Sequence, residues 1–197
     1  MTKSPASTPF TESGTTVKKL PFLPSMAAVF AGALLLTGCA SPQAQAPAKT
    51  TSISASWAKA YPALKDLTQS ADAIVVGTVE KSAPAAPVDG IPFTDATVTA
   101  KSWLKGTKPA ATITVQQTGG ALKDSVVVLE GDAIMQPGEE FMLFLQKNDD
   151  GTYVALSGPT GRLPVSGTSV KKMPDTTLTE AIPETLPELI AAVTRLL

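Results

Sequence analysis

The stretch Ala73-Ile74-Val75-Val76-Gly77-Thr78-Val79 decides the fold. Seven residues dense in β-branched side chains, stiff at χ1, favour an extended backbone over a helix. They read as a buried strand. Working outward, Thr94 to Trp103 alternates, with Ala96, Val98 and Ala100 on one side and Asp95, Thr97 and Thr99 on the other, the pattern of a half-exposed strand. Between the two, Pro84 to Pro92 reads as a loop with Asp89-Gly90 at its tip.

The same punctuation continues toward the C-terminus. Lys105-Gly106 closes one strand, and Ala111 to Gln117 forms the next through Ile113 and Val115. Gly119-Gly120 breaks the pattern, and Val126 to Leu129 is a short strand. Pro137-Gly138 turns into Glu139 to Gln146, and Asn148-Asp149-Asp150-Gly151 is a hairpin turn leading to Thr152–Leu156. A last pair flanks Ser166-Gly167, with Arg162–Val165 before and Ser169–Lys171 after. A short helix starting near Pro62 carries Leu64 and Leu67 on one face, which Trp57 extends by a turn. Pro174 to Pro183 reads as a linker. Pro187 opens a C-terminal helix with Leu186, Leu189, Ile190, Val193 and Leu197 on its apolar face. Six or seven short strands with regular turns predict a mainly β fold, a small OB-like antiparallel β-barrel with one helix before and one after.

The first forty residues have a different character. Lys18 and Lys19 precede an apolar run of eleven residues, Met26 to Leu36. A helix crossing a bilayer needs about 20 such residues, whereas a signal-peptide core needs about 7–15. Leu36-Thr37-Gly38-Cys39 follows and resembles the lipobox of bacterial lipoproteins. That resemblance implies diacylglyceryl attachment to Cys39 and cleavage between Gly38 and Cys39. The expected organisation is a signal peptide over 1–38, then lipidated Cys39 with a disordered tether over 39–56. The barrel domain follows over 57–174, with a linker and packed helix over 175–197. The tether is Ala-, Ser-, Thr-, Pro- and Gln-rich with the single charge Lys49, too polar to fold alone. Localisation follows as the extracytoplasmic face of the cell membrane, with the bilayer and the lipoprotein-processing enzymes as partners.

The order of the strand signals carries a second resemblance. Ser70-Ala71-Asp72-Ala73-Ile74-Val75-Val76-Gly77-Thr78-Val79 is similar to the opening strand of netrin-like domains, the OB-type barrels also found in tissue inhibitors of metalloproteinases. Trp103-Leu104-Lys105-Gly106 resembles the end of their long second strand. Pro137-Gly138-Glu139-Glu140-Phe141-Met142-Leu143-Phe144-Leu145 resembles the strand that follows. The three landmarks span about Ser70 to Val170 and imply the barrel, not the activity. Those inhibitors reach zinc with a free N-terminal cysteine held by disulfides, whereas Cys39 is the sole cysteine of this chain and would be acylated.

Composition excludes several chemistries. The 197 residues contain no histidine and one cysteine, so Ser-His-Asp and Cys-His mechanisms, internal disulfides and thiolate metal clusters are impossible. The formal net charge of −1 becomes −3 when Lys3, Lys18, Lys19 and Glu12 leave with the signal peptide, and aromatic residues make up 5%. Neither value suits nucleic-acid binding, an absent partner in this reading. No cofactor, metal or catalytic residue is expected. Ser56-Trp57-Ala58-Lys59 matches the Ser-x-x-Lys of penicillin-recognising enzymes without their Ser-Asp-Asn and Lys-Thr-Gly elements. Asn148–Gly151 lacks the position-12 glutamate of a calcium loop, since Pro159 stands there. Glu139 and Glu140 fall on opposite sides of a strand. Gly158-Pro159-Thr160-Gly161-Arg162 reads as a tight turn rather than a phosphate loop. Gln116-Gln117-Thr118-Gly119-Gly120 reads as edge or loop polarity, with a barrel mouth as the alternative. The functional expectation is a non-enzymatic binding or adaptor module for an unidentified envelope protein or ligand. A regulator of an envelope enzyme and a small carboxylate-dependent hydrolase are the alternatives.

Overall fold

A computed structural model describes residues 49–54, 56–107, 110–123 and 125–197, all within the unit Gln45–Leu197. Residues 1–48, with Gly38, Cys39, the expected signal peptide and the first part of the expected tether, lie outside the described residues. In chain order the elements are β1 (Lys49–Ile53), α1 (Leu64–Ser70), β2 (Ala73–Val88), β3 (Ile91–Lys105), β4 (Thr112–Thr118), β5 (Gly120–Leu122) and β6 (Ser125–Leu129). They continue with β7 (Glu140–Lys147), β8 (Tyr153–Ala155), β9 (Arg162–Ser166), β10 (Ser169–Val170) and α2 (Leu186–Leu196).

The fold is mainly β and OB-like, as the sequence predicts, with a short helix before the barrel and another at the C-terminus. The main sheet has seven strands in the order β10-β9-β7-β2-β3-β4-β8, and an additional β7–β8 pairing closes five of them into a ring. Four of the ring's pairings are antiparallel. The fifth, β4 with β8, is parallel and spans only Val115↔Tyr153 and Gln116↔Val154. An odd ring cannot alternate direction all the way round, so one parallel seam interrupts the otherwise antiparallel barrel.

Both faces of β2 over residues 73–77 and of β7 over residues 141–145 are covered, which is why these stretches are continuously apolar. Ala73, Val75 and Val79 join Phe141, Leu143 and Leu145 in one cluster with Val98, Val115 and Tyr153. The alternate residues Ile74, Val76, Met142 and Phe144 form a second cluster with Leu67 of α1 and Leu189 and Val193 of α2. Strand β3 is covered on one face, so Ala96 and Val98 are buried while Asp95, Thr97 and Thr99 are partly exposed.

Three expectations are corrected. Pro84 to Pro92 is a ribbon, because β2 and β3 stay paired to Val88↔Ile91 and Asp89-Gly90 forms the two-residue turn. Both turn residues have positive φ (50° and 78°), which matches the twist of the flanking strands. The prolines are tolerated because β7 accompanies β2 only as far as Thr78, leaving one strand edge without a partner strand among the described residues. Lys49–Ile53, expected as disordered tether, instead pairs in parallel with β6 (Lys49↔Ser125 to Ile53↔Leu129). β-Branched Thr50, Thr51 and Ile53 favour this extended form.

The third correction concerns the Pro174–Pro183 linker, which is a packed strap. Leu178 is buried and Glu180 Oε2 accepts the Leu64 N–H at 2.7 Å, capping α1 from 116 residues away. Trp57 does not extend α1 but rests on Gly158, and at the C-terminus Leu196 packs against the core while Leu197 is 55% exposed.

A β-carbon at Gly77 would meet Val98 Cγ1 at 2.6 Å and the Thr99 carbonyl oxygen at 2.8 Å. Gly77→Ala is expected to destabilise the domain by about 1–3 kcal/mol, read as a lowered urea midpoint at unchanged slope.

Candidate functional site

The polar centre of the domain is an ion pair with both side chains buried: Arg162 with Asp132. Arg162 follows a buried 3-10 turn, Gly158–Gly161, that has no room for larger residues. At Gly161 a β-carbon would meet three backbone atoms at 2.6–2.8 Å, and at Gly158 it would collide with the Trp57 indole. Asp132 is set by a turn after β6, in which its N–H donates to the Leu129 carbonyl at 3.0 Å.

Gln117 of β4 fixes the segment that carries Asp132. Its Nε2 donates to the Ala133 carbonyl at 2.8 Å and the Asp132 carbonyl at 3.2 Å, and its Oε1 accepts the Met135 N–H at 3.1 Å. Arg162 Nη1 donates to the Ala133 carbonyl at 3.0 Å, and Nη2 to Asp132 Oδ1. Arg162 Nε is buried with no acceptor among the described residues. Burial raises the Asp132 carboxyl above its ordinary value of 3.8, against the attraction of Arg162. Burial likewise lowers Arg162, with Asp132 opposing.

A cavity of about 280 Å³ opens beside this pair at the β4–β8 seam. Trp57, Tyr61 and Phe93 supply aromatic walls, Val115, Met135 and Leu156 apolar ones, and Gln116, Gln146 and Thr118 polar ones. Arg162 also borders a second cavity of about 390 Å³ that contains Glu139, Glu140 and Phe141.

The sequence motifs fall unevenly around this site. Of the polar run, Gln116, Gln117 and Thr118 line the cavity at the β4–β8 seam, and Gly119 and Gly120 do not. The Gly158–Arg162 turn is a turn, as read, but its Arg162 is the buried charge that sequence reasoning missed. The one available signal was an arginine opening an otherwise apolar strand, Arg162-Leu163-Pro164-Val165. Ser56 is exposed, and Lys59 donates to Ser70 Oγ at 3.1 Å and sits 4.7 Å from the Tyr61 ring centroid. Asn148–Gly151 is a hairpin turn with the Gly151 N–H on the Asn148 carbonyl at 3.0 Å, and hydrogen bonds from Thr152 hold Asp150 below its ordinary value. Glu140 pairs with Lys101 at 2.7 Å while Glu139 accepts the Gln136 N–H at 2.7 Å. Among the described residues, no three acidic or cysteine side chains cluster as metal ligands. No helix among them is long and apolar enough to cross a membrane. No protein-family model matches the chain, and comparison with curated proteins gives no significant match.

Asp132→Ala leaves the Arg162 charge buried without its partner and is expected to destabilise the domain by about 3–5 kcal/mol in urea unfolding. The pH dependence has a definite sign. The folded Asp132 carboxyl holds its proton more tightly than the unfolded one, so its contribution to stability falls as pH rises from 3.8 through the raised folded value. The stability of the parent relative to Asp132→Asn should decline over that window and level off above it.

Proposed function

We propose that this chain is a non-enzymatic binding module, carried on the extracytoplasmic face of a bacterial membrane by lipid on Cys39. The observation that carries the binding part is the cavity beside Arg162, where aromatic and polar walls meet at the barrel's short parallel seam. A concave, mostly apolar site with a few fixed polar groups is the usual form of a small-ligand pocket. The anchoring part is supported by Leu36-Thr37-Gly38-Cys39 behind its apolar run. Two acyl chains hold a protein stably at a bilayer where one is marginal. The same anchor would serve a related reading, a regulator presented to an envelope enzyme at the membrane surface.

A carboxylate-dependent hydrolase is less well supported. Such enzymes use two carboxylates facing one substrate bond. Asp132 is the acidic residue lining this cavity, and Arg162 engages it; in the second cavity Glu140 is paired with Lys101 and Glu139 accepts the Gln136 N–H.

Cys39→Ala should leave an uncut precursor without lipid, seen as a heavier band that fails to label with a palmitate analogue. Processing and labelling like the parent would overturn the lipoprotein reading. In-cell crosslinking of the tagged parent, followed by mass spectrometry, should capture a partner or a ligand-bearing species that Cys39→Ala loses. Turnover of an envelope substrate, abolished by a change at one cavity residue, would replace the binding reading with an enzymatic one.

A further inference from the structure

We infer that the cavity at the β4–β8 seam takes a neutral, ring-shaped ligand that carries a carbonyl or hydroxyl acceptor, the chemistry of an N-acetylated sugar. The inference rests on the binding reading above and names its ligand class.

Charge decides first. Arg162 and Asp132 both line the cavity and neutralise one another. An anion drawn to the guanidinium would lie against the Asp132 carboxylate, and a cation drawn to the carboxylate would meet Arg162. Like charges brought together in a poorly solvated site repel strongly. The remaining charge, Lys59, is exposed and already shared between Ser70 Oγ and the Tyr61 ring.

The reachable polar groups decide second. Arg162 Nε has no acceptor among the described residues, but it has almost no accessible surface and lies out of a ligand's reach. Gln146 is exposed on the cavity wall, and its carboxamide can both donate to a neutral carbonyl or hydroxyl oxygen and accept from a hydroxyl. Gln117 is not free to help, since both ends of its carboxamide are spent on residues 132–135. Gln116 donates to Asp95 at 3.2 Å, which leaves its Oε1 as an acceptor, and Gln146 is exposed beside it. Hydroxyl donors suit both.

The walls decide the shape. Trp57, Tyr61 and Phe93 line the cavity with aromatic surface, which suits the polarised C–H groups of a ring-shaped ligand. The volume of about 280 Å³ lies just below the roughly 300–1,000 Å³ of drug-sized sites, room for one substituted ring.

The test is calorimetric titration of the purified full-length chain with N-acetylglucosamine and, separately, with glucuronate. N-acetylglucosamine should bind at about 1 mM or tighter, and glucuronate at least about tenfold more weakly. Trp57→Ala should weaken the neutral sugar about tenfold and Gln146→Ala about fivefold. Gln146→Ala removes an exposed side chain, so it keeps the test valid should Trp57→Ala unfold. Equal or tighter binding of glucuronate overturns the neutral class and leaves the binding module standing. Heat from neither sugar, or wild-type affinity in both variants, overturns the inference, while the crosslinking experiment decides the binding reading independently.

Discussion

Five strands closed in a ring cannot all run antiparallel to their neighbours, and the rest of this domain follows from where the exception falls. The meander β2-β3-β4 and the hairpin β7-β8 both use strong alternating ladders, and β2 joins them through six residue pairs with β7. The odd pairing is left to β4 and β8, two residue pairs long. Parallel bonds are slanted and slightly weaker per residue. A short parallel seam cannot seal the barrel along its length, and it is here that Gln116, Val154 and Ala155 border open space. The cavity is thus a consequence of strand parity.

Arg162 and Asp132 occupy the interior beside that seam. Burying two charges is expensive, and an apolar pair of the same shape is often as stable. What the pair does is fix position. Asp132 belongs to the segment between β6 and β7, Arg162 starts β9, and Gln117 of β4 holds the Asp132 segment by four hydrogen bonds. One polar cluster therefore sets the spacing of three otherwise independent parts of the chain.

The barrel was legible because its evidence is local. Residues 73–77 and 141–145 are apolar throughout because helices cover the sheet outside while side chains fill it inside. Asn148–Gly151 announces its turn by composition. What escaped reading depends on distant partners. Lys49–Ile53 is polar enough for a spacer and becomes a strand only because β6 offers an edge. Pro84 and Pro87 signal a loop, and only the missing neighbour on that side of β2 lets them stay in a ribbon. The site was half legible: Gln116–Thr118 marked themselves by polarity, whereas Arg162 looked like the end of a turn. Its partner Asp132 lies 30 residues earlier, a distance that composition cannot bridge.

The strap from Pro174 to Pro183 gives the chain an unusual timetable. Glu180 caps α1, Thr177 Oγ1 accepts the Tyr61 N–H at 2.9 Å, and the Pro62 carbonyl accepts the N–H groups of Thr179 and Glu180. The start of the domain is therefore completed by residues near its end. A ribosome must make nearly all of the chain before α1 has its cap or Leu67 its full surroundings, and contacts this distant in sequence slow folding. A nascent chain of this design stays incompletely folded through most of its synthesis, the state in which a polypeptide can still be threaded through a narrow channel.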